Sequence, residues 1–197
     1  MFKRFLPILT ITAAAWLLFF INNGLWSGEL TQHGIIPRHL SGVPGILWAP
    51  FLHASFPHLL ANTLPLLVLG GILCARSPGE FIGVTVLGIL LTGSLTWSLA
   101  RNASHVGASG LIFCYFGFLT SRAWFERTLG TLCISIVCLL LYGGIITGVL
   151  PKAGPTSWES HAAGLVSGIA IAWAVAKVKK RDAQGPTRSA PKAGVHL

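Results

Sequence analysis

Six long apolar stretches constrain the fold of this chain more than any other feature. They occupy residues 5–21, 58–75, 81–99, 109–124, 129–150 and 161–178. About 20 apolar residues span the hydrocarbon core of a bilayer as a helix; the fourth stretch is short for this unless it begins within the membrane. Because lipid offers no hydrogen bonds to a backbone, such segments must be helical. We therefore predict an all-α, polytopic membrane protein with a bundle of six transmembrane helices.

Composition agrees with a membrane setting. Apolar residues make up 53% of the chain and charged residues only 10%, against about 25% charged in ordinary globular domains. The net charge of +9 does not indicate nucleic-acid binding, because the basic residues flank apolar stretches and no nucleic-acid motif is present. We expect the lipid bilayer as a partner and no nucleic acid; no feature indicates an oligomeric state.

The basic residues also predict an orientation. If the N-terminus is cytoplasmic, only three of the 14 basic residues face outward, namely Arg38, Arg101 and Lys152. Positive charge concentrates on the cytoplasmic side of membrane proteins. The chain is therefore predicted to lie N-in/C-in, as a multi-pass protein of the cell inner (cytoplasmic) membrane.

We divide the chain into a membrane domain, residues 1–178, and a flexible basic cytoplasmic tail, residues 179–197. The membrane domain includes a long outer loop at about 22–57, whose tryptophans and prolines favour a packed element at the lipid interface. The first stretch has an alternative interpretation as a signal peptide, with a small-residue site at 13–15. The apolar run continues through Phe20, which argues against cleavage there.

The predicted topology brings three polar residues to one side. His58, Ser109 and His161 each stand at the start of a helix that begins on the outer face. A lone serine among small residues would be read as helix packing. A histidine at the same depth favours a catalytic role for the serine instead, because the imidazole can take the hydroxyl proton during attack on a carbonyl. Gly164 and Gly168 share a helix face with His161 and would let a neighbouring backbone approach.

His58 and Asn62 have the spacing i, i+4, so they share one helix face. Both side chains can donate hydrogen bonds, as the oxyanion of acyl transfer requires. The backbone N–H of Ser109, at a helix N-terminus, is a third candidate donor. The alternative is a structural pair that braces the long outer loop, and the spacing does not decide between the two.

The sequence lacks an acidic residue suited to a catalytic triad. The acids are Glu29, Glu80, Glu126, Glu159 and Asp182, and the nearest to His161 in sequence, Glu159, is expected in a loop. A Ser–His dyad is therefore predicted. The sequence shows no metal motif, so we expect neither a metal nor a cofactor. His33, His39 and His105 are expected to be loop residues with local partners.

Three motifs in order resemble the rhomboid family of intramembrane serine proteases. They are HASFPHLLAN at 53–62, GASG at 107–110, and HAAG at 161–164 followed by Gly168. The resemblance spans nearly the whole chain, in a minimal bacterial six-helix form. It implies a helical bundle with a water-filled cavity that opens outward.

By that resemblance Ser109 is the nucleophile and His161 the base, while His58, Asn62 and the Ser109 N–H stabilise the oxyanion. It also implies an aromatic ring beside the base, at Phe113, and a substrate gate and cap formed by the fifth helix and residues 154–160. Three features depart from the family pattern. Residues 45–48 read GILW where some relatives carry a Trp-Arg pair, and Ser160 stands where alanine is common. Phe113 keeps the aromatic ring beside the base but lacks a hydroxyl.

The sequence therefore predicts an intramembrane serine endopeptidase, a hydrolase that cleaves transmembrane or membrane-anchored proteins near the outer leaflet. One alternative is a non-catalytic relative that binds membrane helices. A second is a small transporter or channel. The second would need polar groups along a continuous path, whereas the polar groups here cluster in the outer half.

Overall fold

A computed structural model describes residues 2–152, 154 and 156–184 of the chain. Within these residues the fold is helical, and the only β-type pairing is one isolated antiparallel bridge between Ile35 and His105. The all-α prediction is confirmed. The α-helices are α1 (Leu6–Leu25), α2 (Gly45–Trp48), α3 (Phe56–Arg76), α4 (Pro78–Leu99), α5 (Ser109–Glu126), α6 (Leu129–Tyr142) and α7 (Trp158–Ala183).

Hydroxyl side chains set the starts of four helices. Ser55 accepts the His58 N–H at the start of α3, and Ser77 accepts the Glu80 N–H at the start of α4. Thr128 and Ser157 cap α6 and α7 in the same way. Such caps satisfy donors that a helix leaves free in its first turn, which is why α3, α4 and α7 begin two or three residues before the predicted apolar stretches. Helix α6 begins at Leu129, as predicted.

Five helical segments have the length and hydropathy to cross a membrane, so the chain is a multi-pass membrane protein. They are Phe2–Leu25, Phe56–Arg76, Pro78–Leu99, Leu129–Val149 and Trp158–Ala183. The first of these includes a 3₁₀ turn, Phe2–Phe5, that leads into α1.

Helix α5 differs from the other long helices because it lies at the centre of the bundle. Eleven of its 18 residues are buried, and it packs against α3, α4, α6 and α7. Protein rather than lipid surrounds it, so it tolerates two charged residues, Arg122 and Glu126, near its end. A membrane crossing by α5, the count of six spans and the N-in/C-in orientation stay predictions.

The long segment between α1 and α3 is packed on the helices. It consists of α2 and short 3₁₀ turns. Ile35 and His105 exchange both backbone hydrogen bonds, at 3.0 and 2.9 Å, and the Gly107 N–H donates to the Ala49 carbonyl at 2.8 Å. These bonds fix the loop that leads directly into Ser109.

Two predicted boundaries differ from the structure. The fifth apolar stretch, 129–150, is α-helical only to Tyr142, and a 3₁₀ helix, Gly143–Val149, follows. Gly143 and Gly144 explain the break, since glycine is a poor α-helix former. The last helix continues past the end of the predicted sixth apolar stretch, at residue 178, to Ala183. Most of the predicted tail, from residue 185 onward, lies outside the described residues.

Charged side chains cluster at the end of α5 farthest from Ser109. The Arg122 guanidinium is 2% exposed and pairs with Glu80 and with Glu126, the latter at 2.7 Å. Lys179 of α7 bonds Glu126 at 3.0 Å. Buried charges require such partners, so this cluster joins α4, α5 and α7 at one end of the bundle.

Candidate active site

The structure brings the Ser109 hydroxyl and the His161 imidazole into direct contact. Ser109 is the first residue of α5, and His161 lies in the first turn of α7. The Oγ of Ser109 and the Nε2 of His161 are 2.9 Å apart, which is hydrogen-bond distance. A hydroxyl bonded to an imidazole nitrogen is the arrangement in which the imidazole can accept the hydroxyl proton.

A backbone carbonyl and an aromatic ring hold the imidazole in place. The Nδ1 of His161 lies 2.9 Å from the carbonyl oxygen of Gly148. Because a carbonyl can only accept, this bond places the proton on Nδ1 and leaves Nε2 free to accept from Ser109. The Phe113 ring stacks on the imidazole with centroids 4.3 Å apart and planes 9° apart. The Gly148 carbonyl thus orients the base where a triad would use a carboxylate.

Glycines allow α5 and α7 to approach closely enough for this contact. A methyl group added at Gly164 would collide with the Gly110 carbonyl, and one at Gly168 with the Cys114 carbonyl. Both glycines are buried. The two helices therefore meet backbone to backbone just below the Ser109–His161 pair, as small-residue interfaces allow.

His58 and Asn62 line the same cavity as Ser109 and His161. Its volume is about 660 Å³, and it is bounded by α3, the loop before α5, and the segment before α7. The Asn62 side-chain amide donates to the His58 carbonyl at 3.1 Å. Gly107 has φ of +114°, and a methyl group there would lie 2.6 Å from the His58 ring. Only glycine lets the loop pass this close to His58.

His53 supports the residue that precedes Ser109. Its Nε2 accepts the Ala108 N–H at 3.4 Å, and its ring meets the His58 ring edge-on at 5.1 Å. The side chain is 2% exposed. Burial is the main cause that lowers the pKa of His53 from 6.5 to about 4, and the nearby His58 adds to it. A neutral ring is what an acceptor for an N–H must be.

The rim of the cavity contains a set of contacts that the sequence did not predict. Arg101 donates to the carbonyls of Gly154 and Thr156, at 3.0 and 2.7 Å. Its Nε lies 3.5 Å from the Glu159 carboxylate. Glu159 was expected in a loop but belongs to the first turn of α7, because Ser157 caps the helix ahead of it. Arg101 therefore ties the loop before α5 to the segment before α7.

His105 takes part in the same rim. Its Nε2 contacts the Arg101 carbonyl at 2.9 Å, a local partner as expected, but its Nδ1 contacts the Ser157 hydroxyl at 2.6 Å. The local partner of His105 was predicted, but the contact with Ser157 was not. Sequence spacing cannot predict a contact between His105 and Ser157, which are 52 positions apart. The backbone bridge between Ile35 and His105 places the His105 ring beside Ser157.

Together the fold and the site define a multi-pass membrane protein with a serine–histidine pair in a polar cavity. Across the described ranges, no three His, Cys, Asp or Glu side chains lie together as metal ligands would. The arrangement can perform acyl transfer with its own side chains.

Comparison with known proteins gives the family. A model of the Rhomboid domain matches residues 41–178. Uncharacterized proteins of Mycobacterium tuberculosis, Mycobacterium bovis and Mycobacterium leprae are each 35% identical over 196 residues, which is 95% of this chain. The match covers 81% of the first two relatives and 75% of the third. The chain belongs to the rhomboid family, whose members are generally intramembrane serine proteases.

Proposed function

We propose that this protein is an intramembrane serine endopeptidase that cleaves transmembrane or membrane-anchored proteins through Ser109 and His161. The observation that carries the proposal is the 2.9 Å contact between Ser109 Oγ and His161 Nε2, with Nδ1 held by the Gly148 carbonyl. A tautomer fixed by a backbone acceptor prepares Nε2 to act as a base.

The proposed reaction proceeds in two steps. Ser109 Oγ attacks the scissile carbonyl carbon while His161 Nε2 takes the hydroxyl proton. The tetrahedral intermediate then collapses, the peptide C–N bond breaks, and His161 returns the proton to the leaving amine. A water molecule that enters through the cavity hydrolyses the acyl-Ser109 ester in the reverse sense, with His161 again as base.

The oxyanion of each step requires donors. Ser109 is the first residue of α5, where backbone N–H groups have no acceptor within the helix. We assign the oxyanion to this N–H together with the His58 and Asn62 side chains, which line the cavity beside it. Preorganised donors of this kind lower the barrier of acyl transfer more than most other single effects.

The proposed setting is the inner (cytoplasmic) membrane with the cavity open to the outer side. It rests on the distribution of basic residues: in the predicted topology only three of the 14, Arg38, Arg101 and Lys152, lie on the side of Ser109. Substrates would then be cut near the outer leaflet. Transmembrane proteins are the proposed partners because the cavity wall is made of membrane helices.

The test is cleavage of a membrane-anchored reporter by the purified protein in proteoliposomes. We expect Ser109→Ala to abolish cleavage and labelling by a fluorophosphonate probe. Ser104→Ala is the matched control, since Ser104 lines the same cavity but its hydroxyl bonds the Thr31 carbonyl. Cleavage that survives in Ser109→Ala would refute the mechanism. A wild type that binds the reporter without cleaving it would favour the non-catalytic alternative.

A further inference from the structure

A second pocket lies at the opposite end of the bundle from Ser109. Its volume is about 310 Å³, and the ends of α5 and α7 form its walls. Helix α5 spans 18 residues from Ser109 to Glu126, which is a length of about 27 Å. The pocket therefore lies roughly one hydrocarbon thickness away from the catalytic cavity, at the level of the other membrane surface.

Three cations border this pocket, and none of them is neutralised within the part of the chain that the structure describes. They are Arg127, Lys177 and Lys180, and no carboxylate of those residues forms an ion pair with them. The nearby acids are already engaged: Glu80 and Glu126 bind Arg122 and Lys179. The pocket therefore presents net positive charge.

Two tryptophan rings complete the pocket. Trp124 is 76% exposed and Trp173 is 52% exposed, and the Lys177 ammonium lies 5.0 Å from the centre of the Trp173 ring. Tryptophan concentrates at the headgroup level of membranes because its ring is apolar and its N–H is polar. An apolar wall beside unpaired cations matches a ligand with a phosphate and a lipid backbone better than a free anion.

We propose that this pocket binds the phosphate of an anionic phospholipid. Arg127, Lys177 and Lys180 surround the phosphate, and the tryptophan rings contact the glycerol and the first acyl carbons. Basic pockets between membrane helices bind lipid headgroups in this manner. The two walls belong to the helices that carry Ser109 and His161, so a bound lipid joins these helices at their far ends.

The experiment measures lipid binding rather than proteolysis. The purified protein in detergent is titrated with phosphatidylglycerol or with phosphatidylcholine, and bound lipid is counted by native mass spectrometry. A third titration uses inorganic phosphate. The test variant is the double substitution Lys177→Gln with Lys180→Gln. The matched control is Lys3→Gln with Arg181→Gln, which removes two exposed charges from the same end of the bundle outside the pocket.

We expect wild type to prefer phosphatidylglycerol to phosphatidylcholine. The test variant should bind phosphatidylglycerol roughly 25-fold more weakly, because each basic residue at an anionic surface strengthens binding about fivefold. The control should keep wild-type affinity, and inorganic phosphate should not compete. Trp173→Phe should weaken binding less than the loss of both lysines. Equal weakening in test and control variants, or no preference over phosphatidylcholine, overturns the proposal. Binding of inorganic phosphate as tight as that of the lipid would overturn the choice of ligand.

Discussion

The two ends of α5 hold polar groups in opposite ways. At the Ser109 end, hydroxyl, imidazole and amide side chains surround a cavity of about 660 Å³. At the Arg122 end, the buried charged side chains pair with one another, and the guanidinium is 2% exposed. The Ser109 end leaves space for a polypeptide and water. At the Arg122 end, ion pairs join α4, α5 and α7.

The chemistry of burial explains the difference. A buried charge is costly unless it is paired, whereas a hydroxyl or an imidazole needs only one or two hydrogen bonds. The reactive groups are therefore held by uncharged partners, with Nδ1 of His161 bonded to the Gly148 carbonyl. Substitutions should accordingly have their largest effect on catalysis at the first end and on stability at the second.

The largest expected effect is on catalysis. His161→Ala removes the acceptor of the Ser109 proton, and we expect cleavage of a membrane-anchored reporter to fall by about 10⁴-fold. The thermal unfolding temperature should also fall, because the imidazole is buried and stacks on Phe113, so the rate is compared per folded molecule. Lys179→Gln, at the other end, serves as control and should retain the wild-type rate. A His161→Ala protein with most of the wild-type rate would show that another group is the base.

The parts of this site that sequence could predict are those carried by side chains in motifs. Ser109 and His161 follow from motif order and topology, and Gly164 and Gly168 from helical spacing. The Gly148 carbonyl could not be predicted, because a backbone acceptor has no residue signature. Its position depends on the 3₁₀ helix Gly143–Val149, and the adjacent glycines at 143 and 144 were the one signal that the α-helix would end there.

The fold, like the site, could be predicted from the sequence only in part. Hydropathy identifies five helices that lipid can surround, but it underrates α5, because Arg122 and Glu126 lower its mean hydropathy. Those charges are tolerated only where Glu80 and Lys179 arrive from other helices. Such long-range pairing lies beyond what periodicity can indicate.

The second prediction concerns stability at the ionic end. Arg122→Met leaves the Glu80 and Glu126 carboxylates without their buried partner, and we expect it to lower the free energy of unfolding by about 3 kcal/mol. Denaturation in detergent, followed by circular dichroism, measures this. The control is Lys179→Gln, whose side chain is 52% exposed and should contribute less than about 1 kcal/mol. If the rate of cleavage per folded Arg122→Met molecule also falls sharply, the two ends of α5 are functionally coupled.

The third prediction uses pH to address His53 at the cavity end. In the folded protein the pKa of His53 is about 4, below the ordinary 6.5. Between pH 4 and 6.5, His53 therefore binds a proton in the unfolded chain but not in the folded chain. Stability should fall as the pH drops from 6.5 to 4, with His53 contributing about 3 kcal/mol at most. Thermal unfolding at several pH values measures the slope.

His53→Gln is the informative variant for this slope. The glutamine carbonyl can still accept the Ala108 N–H but does not titrate in this range. The variant should be less sensitive to pH between 4 and 6.5 than wild type. Arg38→Gln, whose side chain donates to the backbone carbonyls of Ser98 and Ala100 rather than to a carboxylate, should keep the wild-type slope. An unchanged slope in His53→Gln would mean that another group excludes the proton.

The smallest expected effect is at the rim of the cavity. Arg101→Gln removes the bonds to the Gly154 and Thr156 carbonyls, so the segment before α7 should open more readily. Two hydrogen bonds of ordinary strength amount to about 2 kcal/mol, which is about thirtyfold, and the rate of Ser109 labelling by a fluorophosphonate should rise by up to that factor. Arg38→Gln is the matched control: Arg38 also donates to backbone carbonyls, at Ser98 and Ala100, but not to this segment. Slower labelling in Arg101→Gln would indicate that Arg101 holds the site in its reactive shape. The segment before α7 would then be needed to position the catalytic residues.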